Sequence, residues 1–94
     1  MKVGLTIQQP NEMLDYDFDY SDWFGNLDDA LAGFSVTSVP AGLTVTASVA
    51  ADKMGKIWVS GGLADVTYYV EVTATTVAGR IKQDELEVLI LEIV

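Results

Sequence analysis

The chain has 94 residues, half of them hydrophobic, with five basic and fourteen acidic side chains, a formal net charge of −9, and neither His nor Cys. That length fits one domain, which buries roughly 60–65% of the surface its unfolded form exposes. The composition excludes disulfides, thiolate chemistry and imidazole catalysis, and the acidic balance disfavours nucleic acid and anionic membranes as partners.

Residues 1–11 read as an N-terminal arm or short edge strand: Met1 to Ile7 alternates weakly, and Gln8-Gln9-Pro10-Asn11 is a breaker cluster. No basic start followed by an apolar run suggests a signal peptide. From Leu14 the alternation is strict, with Leu14, Tyr16, Phe18 and Tyr20 on one face and Asp15, Asp17 and Asp19 on the other. This is the period-2 signature of a half-buried strand. Ser21 is placed to cap a single helical turn. Tyr16, Phe18, Tyr20 and Trp23 form an aromatic corner, in which Trp23 plugs the end of the core and its indole N–H reaches a backbone carbonyl.

Asn26 to Ala32 fits either a helical turn or a crossing loop. Phe34 and Val36 open another strand, which Val39-Pro40-Ala41-Gly42 ends with turn chemistry. Leu43, Val45, Ala47 and Val49 alternate cleanly, and Ala51 to Gly55 is a hairpin-like connection. Ile57 to Ser60 is a short strand, after which Gly61 and Gly62 permit the positive φ of a tight turn. Tyr68, Val70, Val72 and Ala74 mark a central strand, closed by the turn at Ala78-Gly79-Arg80. The last segment carries Leu86, Val88 and Ile90 on one phase and Leu89, Leu91 and Ile93 on the other.

About seven strands at roughly ten-residue spacing predict an all-β, antiparallel Greek-key β-sandwich of the immunoglobulin or fibronectin III type, occupying residues 12–94. No segment is long enough for a crossover helix, so the expectation is a sandwich without parallel pairing. Half the side chains are apolar in a domain with little interior, so apolar surface must face outward, which marks a partner interface.

Two constellations invite chemistry. Asp15-x-Asp17-x-Asp19 has the spacing of a calcium loop's opening, but Tyr20 stands where that loop needs its glycine. Same-face residues on a strand lie about 7 Å apart, which favours a solvated acidic face over a metal site. Trp58 takes the outer phase of its strand and is either covered by a loop or offered to a partner. Tyr69 also points outward, so a carbohydrate-binding or host-adhesin module is the alternative from another class. Constellations built on His or Cys cannot be assembled and no motif supports a Ser or Lys nucleophile, so neither an enzyme nor a cofactor is expected.

Leu14-Asp15-Tyr16-Asp17-Phe18-Asp19-Tyr20-Ser21-Asp22-Trp23-Phe24 resembles the opening of small proteins from tailed-phage and prophage structural operons, described as fiber-tail adaptors with an immunoglobulin-like fold. The resemblance continues through Pro40-Ala41-Gly42-Leu43-Thr44-Val45, Trp58-Val59-Ser60-Gly61-Gly62, Tyr68-Tyr69-Val70 and Thr75-Thr76-Val77-Ala78-Gly79-Arg80. The chain departs from the pattern at Leu63-Ala64-Asp65, which lacks a usual third glycine, and at Phe24, which replaces Leu. The resemblance implies a non-catalytic virion protein, prophage-encoded and made in the bacterial cytoplasm, that binds other phage structural proteins and copies of itself. A capsid decoration protein is the neighbouring alternative. The expected contact residues are Trp58, Tyr69, Leu89, Leu91 and Ile93.

Overall fold

A computed structural model describes residues 1–92. They form seven strands and one helical turn: β1 Lys2–Gln8, β2 Met13–Asp19, α1 Ser21–Phe24, β3 Leu31–Val39, β4 Leu43–Ala51, β5 Met54–Gly61, β6 Thr67–Thr76 and β7 Ile81–Ile90. Two sheets face each other as a β-sandwich, one ordered β1-β7-β6-β3 and the other β2-β5-β4.

Alternation builds this core directly. In β6, Tyr68, Val70, Val72 and Ala74 are buried while Tyr69, Glu71 and Thr75 are exposed. Facing them from the other sheet are Ile57 and Val59 of β5, both fully buried. Each such side chain stabilises the fold by about 1.5–3 kcal/mol through removal from water.

One expectation fails. β1 and β7 pair in parallel, with Leu5 opposite Glu87 and Ile7 opposite Leu89. No crossover helix is needed, because these are the first and last strands and the rest of the sandwich connects them. The α1–β3 region also resolves: strand β3 begins at Leu31, and a register shift between Leu31 and Gly33 lets both Leu31 and Phe34 face inward. That shift breaks the period-2 rhythm, so alternation alone places the start late. The turn joining β4 to β5 is likewise tighter than the sequence suggests, because β5 already begins at Met54.

The helical turn is capped differently from expectation. Ser21 is its first residue and Tyr20 its N-cap, with no side-chain capping bond; the Asp19 carboxylate just before accepts from the Ser21 N–H at 2.9 Å. Hydrogen bonds from Ser21 hold the Asp19 carboxyl below its usual range. Phe24, 1% exposed, fills the core at this corner, whereas Trp23 lies half-buried against Phe24 and Tyr20. Among the described residues no carbonyl accepts from the Trp23 indole; the Lys82 ammonium instead stands 5.8 Å over its ring.

The two sides of the sandwich differ. On one, β3 lies against β4, and the Phe34 ring covers Gly55 so closely that a Cβ there would sit 2.6 Å from it. On the other, β1 and β2 are unpaired edges that stay apart along most of their length. They are joined at one end by Gln8, which is fully buried. Its amide donates to the Val59 carbonyl at 2.8 Å and the Glu12 carbonyl at 3.0 Å, and its Oε1 accepts from the Tyr16 hydroxyl at 2.8 Å.

Candidate interaction surfaces

Trp58 and Tyr69 are both exposed, at 42% and 44%, but on opposite outer faces of the sandwich. Trp58 lies between Asp15 of β2 and Thr46 of β4. On that face Lys56 bridges Asp15 at 3.0 Å and Asp17 at 3.6 Å. The hydrogen bond from Lys56 lowers the Asp15 carboxyl's pKa, and the same bond, with Asp17's charge, raises that of Lys56. Asp15 and Asp17 thus have an ammonium as their cation, and Asp19 accepts from the Ser21 N–H at the start of α1. Among the described residues no group of three or more acids is placed to hold a metal.

Tyr69 sits on the outer face of the four-stranded sheet, between Glu87 of β7 and Val39 of β3. Leu89 is half-buried one row along, beside Ile7, and Leu91 is half-buried just beyond β7. Ile93 lies outside the described residues. The apolar character of this face comes mostly from residues that sequence reasoning passed over: Val3, Leu5 and Ile7 of β1 are 47–58% exposed, and Val39 is 65% exposed. Their signal was the odd-numbered alternation in β1. Lys2 and Glu87 pair across the same face at 3.1 Å.

A third surface is the open side itself, a groove of about 590 Å³ between β1 and β2. Its floor is aromatic, formed by Tyr16, Phe18, Tyr20 and Trp23. Asp15, Asp17, Asp19 and Asp22 stand along its rim. Inside it Asp84, 2% exposed, is paired with Lys82 at 3.3 Å. Among the described residues the Tyr20 hydroxyl, buried there, makes no hydrogen bond. Burial first, and then the Asp84 charge beside it, push its pKa far up.

The turn glycines serve two clusters of structure at opposite ends. At one, Gly42, Gly61 and Gly62 all have positive φ, and Gly42 and Gly62 pack around Tyr68. A Cβ on Gly62 would lie 2.8 Å from Ile90 and 3.2 Å from Tyr68. The Tyr68 hydroxyl accepts from the Leu63 N–H at 3.0 Å. At the other end, Gly79, with φ +93°, lets the β6–β7 turn close through Gly79 N–H to the Thr76 carbonyl at 3.0 Å.

That second turn is pinned by Asp29, whose side chain is 1% exposed. Its carboxylate accepts from Ala30 N–H at 2.9 Å, Ala78 N–H at 3.0 Å and Arg80 at 2.7 Å. Burial pushes the Asp29 carboxyl up, but the Thr76 hydroxyl, these amides and Arg80 outweigh it and hold its pKa at about 2.

The fold and its surfaces define a small β-sandwich module whose turn glycines and Asp29 shape the two ends of the sandwich. The chain belongs to the family described as podophage GP4 fiber-tail adaptor protein gp77, which matches residues 8–89, and so to the tail components of bacteriophages. No curated protein matches it.

Proposed function

We propose that this chain is a non-catalytic connector of the phage virion that joins tail subunits through protein–protein contacts. The family match over residues 8–89 carries the reading. The exposed apolar face of β1, Tyr69 and Val39 supports it, since contiguous apolar surface on a small domain is normally covered by a partner. Copies of the chain and other tail proteins are the partners in this reading, which requires no cofactor.

The sandwich is of the immunoglobulin-like Greek-key type in the same proposal, with β1 as an edge strand joined to the domain of residues 12–94. Two features support this. The order β1-β7-β6-β3 over β2-β5-β4 matches that architecture with its first strand switched to the opposite sheet. Tyr68, near the start of β6, has its hydroxyl bonded to backbone five residues upstream, as in a tyrosine corner.

Deleting the gene from its phage and imaging the particles tests the role. Tails lacking their fibres, restored by the wild-type chain supplied in trans, are expected. Complete, infectious tails without the chain, or purified virions that never contain it, would refute the assignment.

A further inference from the structure

The open side of the sandwich has three properties that belong together. First, β2 is the edge of its sheet, so among the described residues no strand pairs with the backbone groups along its outer margin. Second, the rim is negative: Asp22 and Asp17, the latter sharing the Lys56 ammonium with Asp15, flank an aromatic floor, and Lys82 within the groove is paired with Asp84 and stands over the Trp23 ring. Third, Tyr20 lines that groove, and among the described residues its buried hydroxyl makes no hydrogen bond. An unsatisfied buried hydroxyl is costly unless something that arrives later bonds it.

We infer that the groove between β1 and β2 seats an extended, lysine- or arginine-bearing segment of a partner protein, which adds to β2 as a further strand. Main-chain hydrogen bonds to an edge supply affinity in this mode, and alternate side chains supply specificity. Apolar side chains of the segment lie on the floor formed by Tyr16, Phe18 and Trp23. Its cations meet Asp22 and compete with Lys56 for Asp17, and a backbone or side-chain group reaches the Tyr20 hydroxyl. A second copy of this chain does not fit the site: its basic residues, Lys2, Lys53, Lys56, Arg80 and Lys82, are scattered, and none of its strands alternates cations with apolar residues along its length.

This inference rests on the reading of the chain as a docking module but not on its place in a tail. A peptide experiment and the deletion phenotype therefore fail independently. The full chain, isotopically labelled, is titrated with a synthetic peptide alternating lysine and valine, and separately with one alternating glutamate and valine. The lysine peptide is expected to shift the amides of Met13–Asp19 and the Trp23 indole saturably, with affinity falling as salt rises. The glutamate peptide leaves those signals in place. The double variant Asp17→Asn/Asp22→Asn weakens binding roughly tenfold. Tyr20→Phe also weakens it, while the melting temperature of the free protein holds or rises. The proposal is overturned by an absence of saturable binding, an equal response to both peptides, or full affinity in the double variant. It is equally overturned if the shifts fall on Leu5, Ile7 and Tyr69 with β2 silent, or if concentrating the chain alone reproduces them.

Discussion

The two long sides of this sandwich are built from the same kinds of strand and end in opposite states. Where β3 meets β4, the chain crosses directly from one sheet to the other through Pro40 to Gly42, so the two edges are held in contact by a short connection. Phe34 then fills the space between the sheets, touching Phe18 and Tyr20 across the core at ring-centre distances of 5.7 and 6.1 Å. Where β1 faces β2, a connection one residue longer, Gln9 to Glu12, joins the edges at one end only. Past Gln8 the two strands stay apart. Gly4 and Thr6 are the inward residues of β1, and both are small. A closed side results from filling the gap with an aromatic ring, and an open side from lining one edge with small residues.

The largest effect is expected on the closed side. In Gly55→Ala the new methyl meets three atoms of the Phe34 ring at 2.6–2.7 Å, and neither a strand backbone nor a packed ring moves freely. Overpacking of this kind costs about 1–3 kcal/mol, and the upper half of that range is expected in urea denaturation. A wild-type midpoint would mean that Phe34 swings out and that the closed side is no tighter than the open one. On the open side the corresponding test is Gln8→Ala. It strands the Val59 carbonyl and the Tyr16 hydroxyl in a buried position, for a loss of about 2 kcal/mol. Amide hydrogen exchange should accelerate in β1 and β2 while β3 and β4 keep their protection. Uniform acceleration would show that Gln8 supports the whole core rather than one side.

The difference between the sides was only half legible in the sequence. Strands β2, β4 and β6 were readable because their two faces carry opposite chemistry, as with Tyr16 and Phe18 against Asp15, Asp17 and Asp19. Period-2 alternation states which residues point inward but not which sheet a strand joins. Trp58 and Tyr69 were therefore correctly outward, yet nothing separated them onto opposite faces. The polar residues that fix the architecture left even less trace. Gln8 meets Val59 across 51 residues and Asp29 meets Arg80 across another 51, and no local pattern encodes a partner at that range. Asp84 had a faint signal, since it shares the inward phase of Leu86, Val88 and Ile90, but a carboxylate in that phase reads as the strand's exposed end.

A smaller effect separates the turn cluster from both sides. Asp29 is ionised more readily in the folded protein, with a pKa of about 2, than in the unfolded chain, where an aspartate titrates near about 4. Its contribution to stability is thus complete above about pH 4 and drains away as the pH falls toward 2. Thermal melts of Asp29→Asn across that window should show a shallower acid limb than wild type. Parallel limbs would mean that other carboxylates govern acid unfolding.

The smallest effect is expected at Trp58. Its ring is 42% exposed on a face where Asp15 and Thr46 flank it, so truncation to Ala leaves no enclosed void for the core to suffer. The stability change should stay within about 0.5–1 kcal/mol. The same substitution in assembled particles then decides between the two outer faces. If Trp58→Ala impairs tail assembly while a Leu5→Lys change on the opposite face does not, the acidic three-stranded face is the docking side. The converse makes the apolar face of β1 and Tyr69 the docking side. In that case Trp58 marks only where the outer phase of β5 happens to carry an aromatic, and its conservative replacement by Phe should be as silent as its removal.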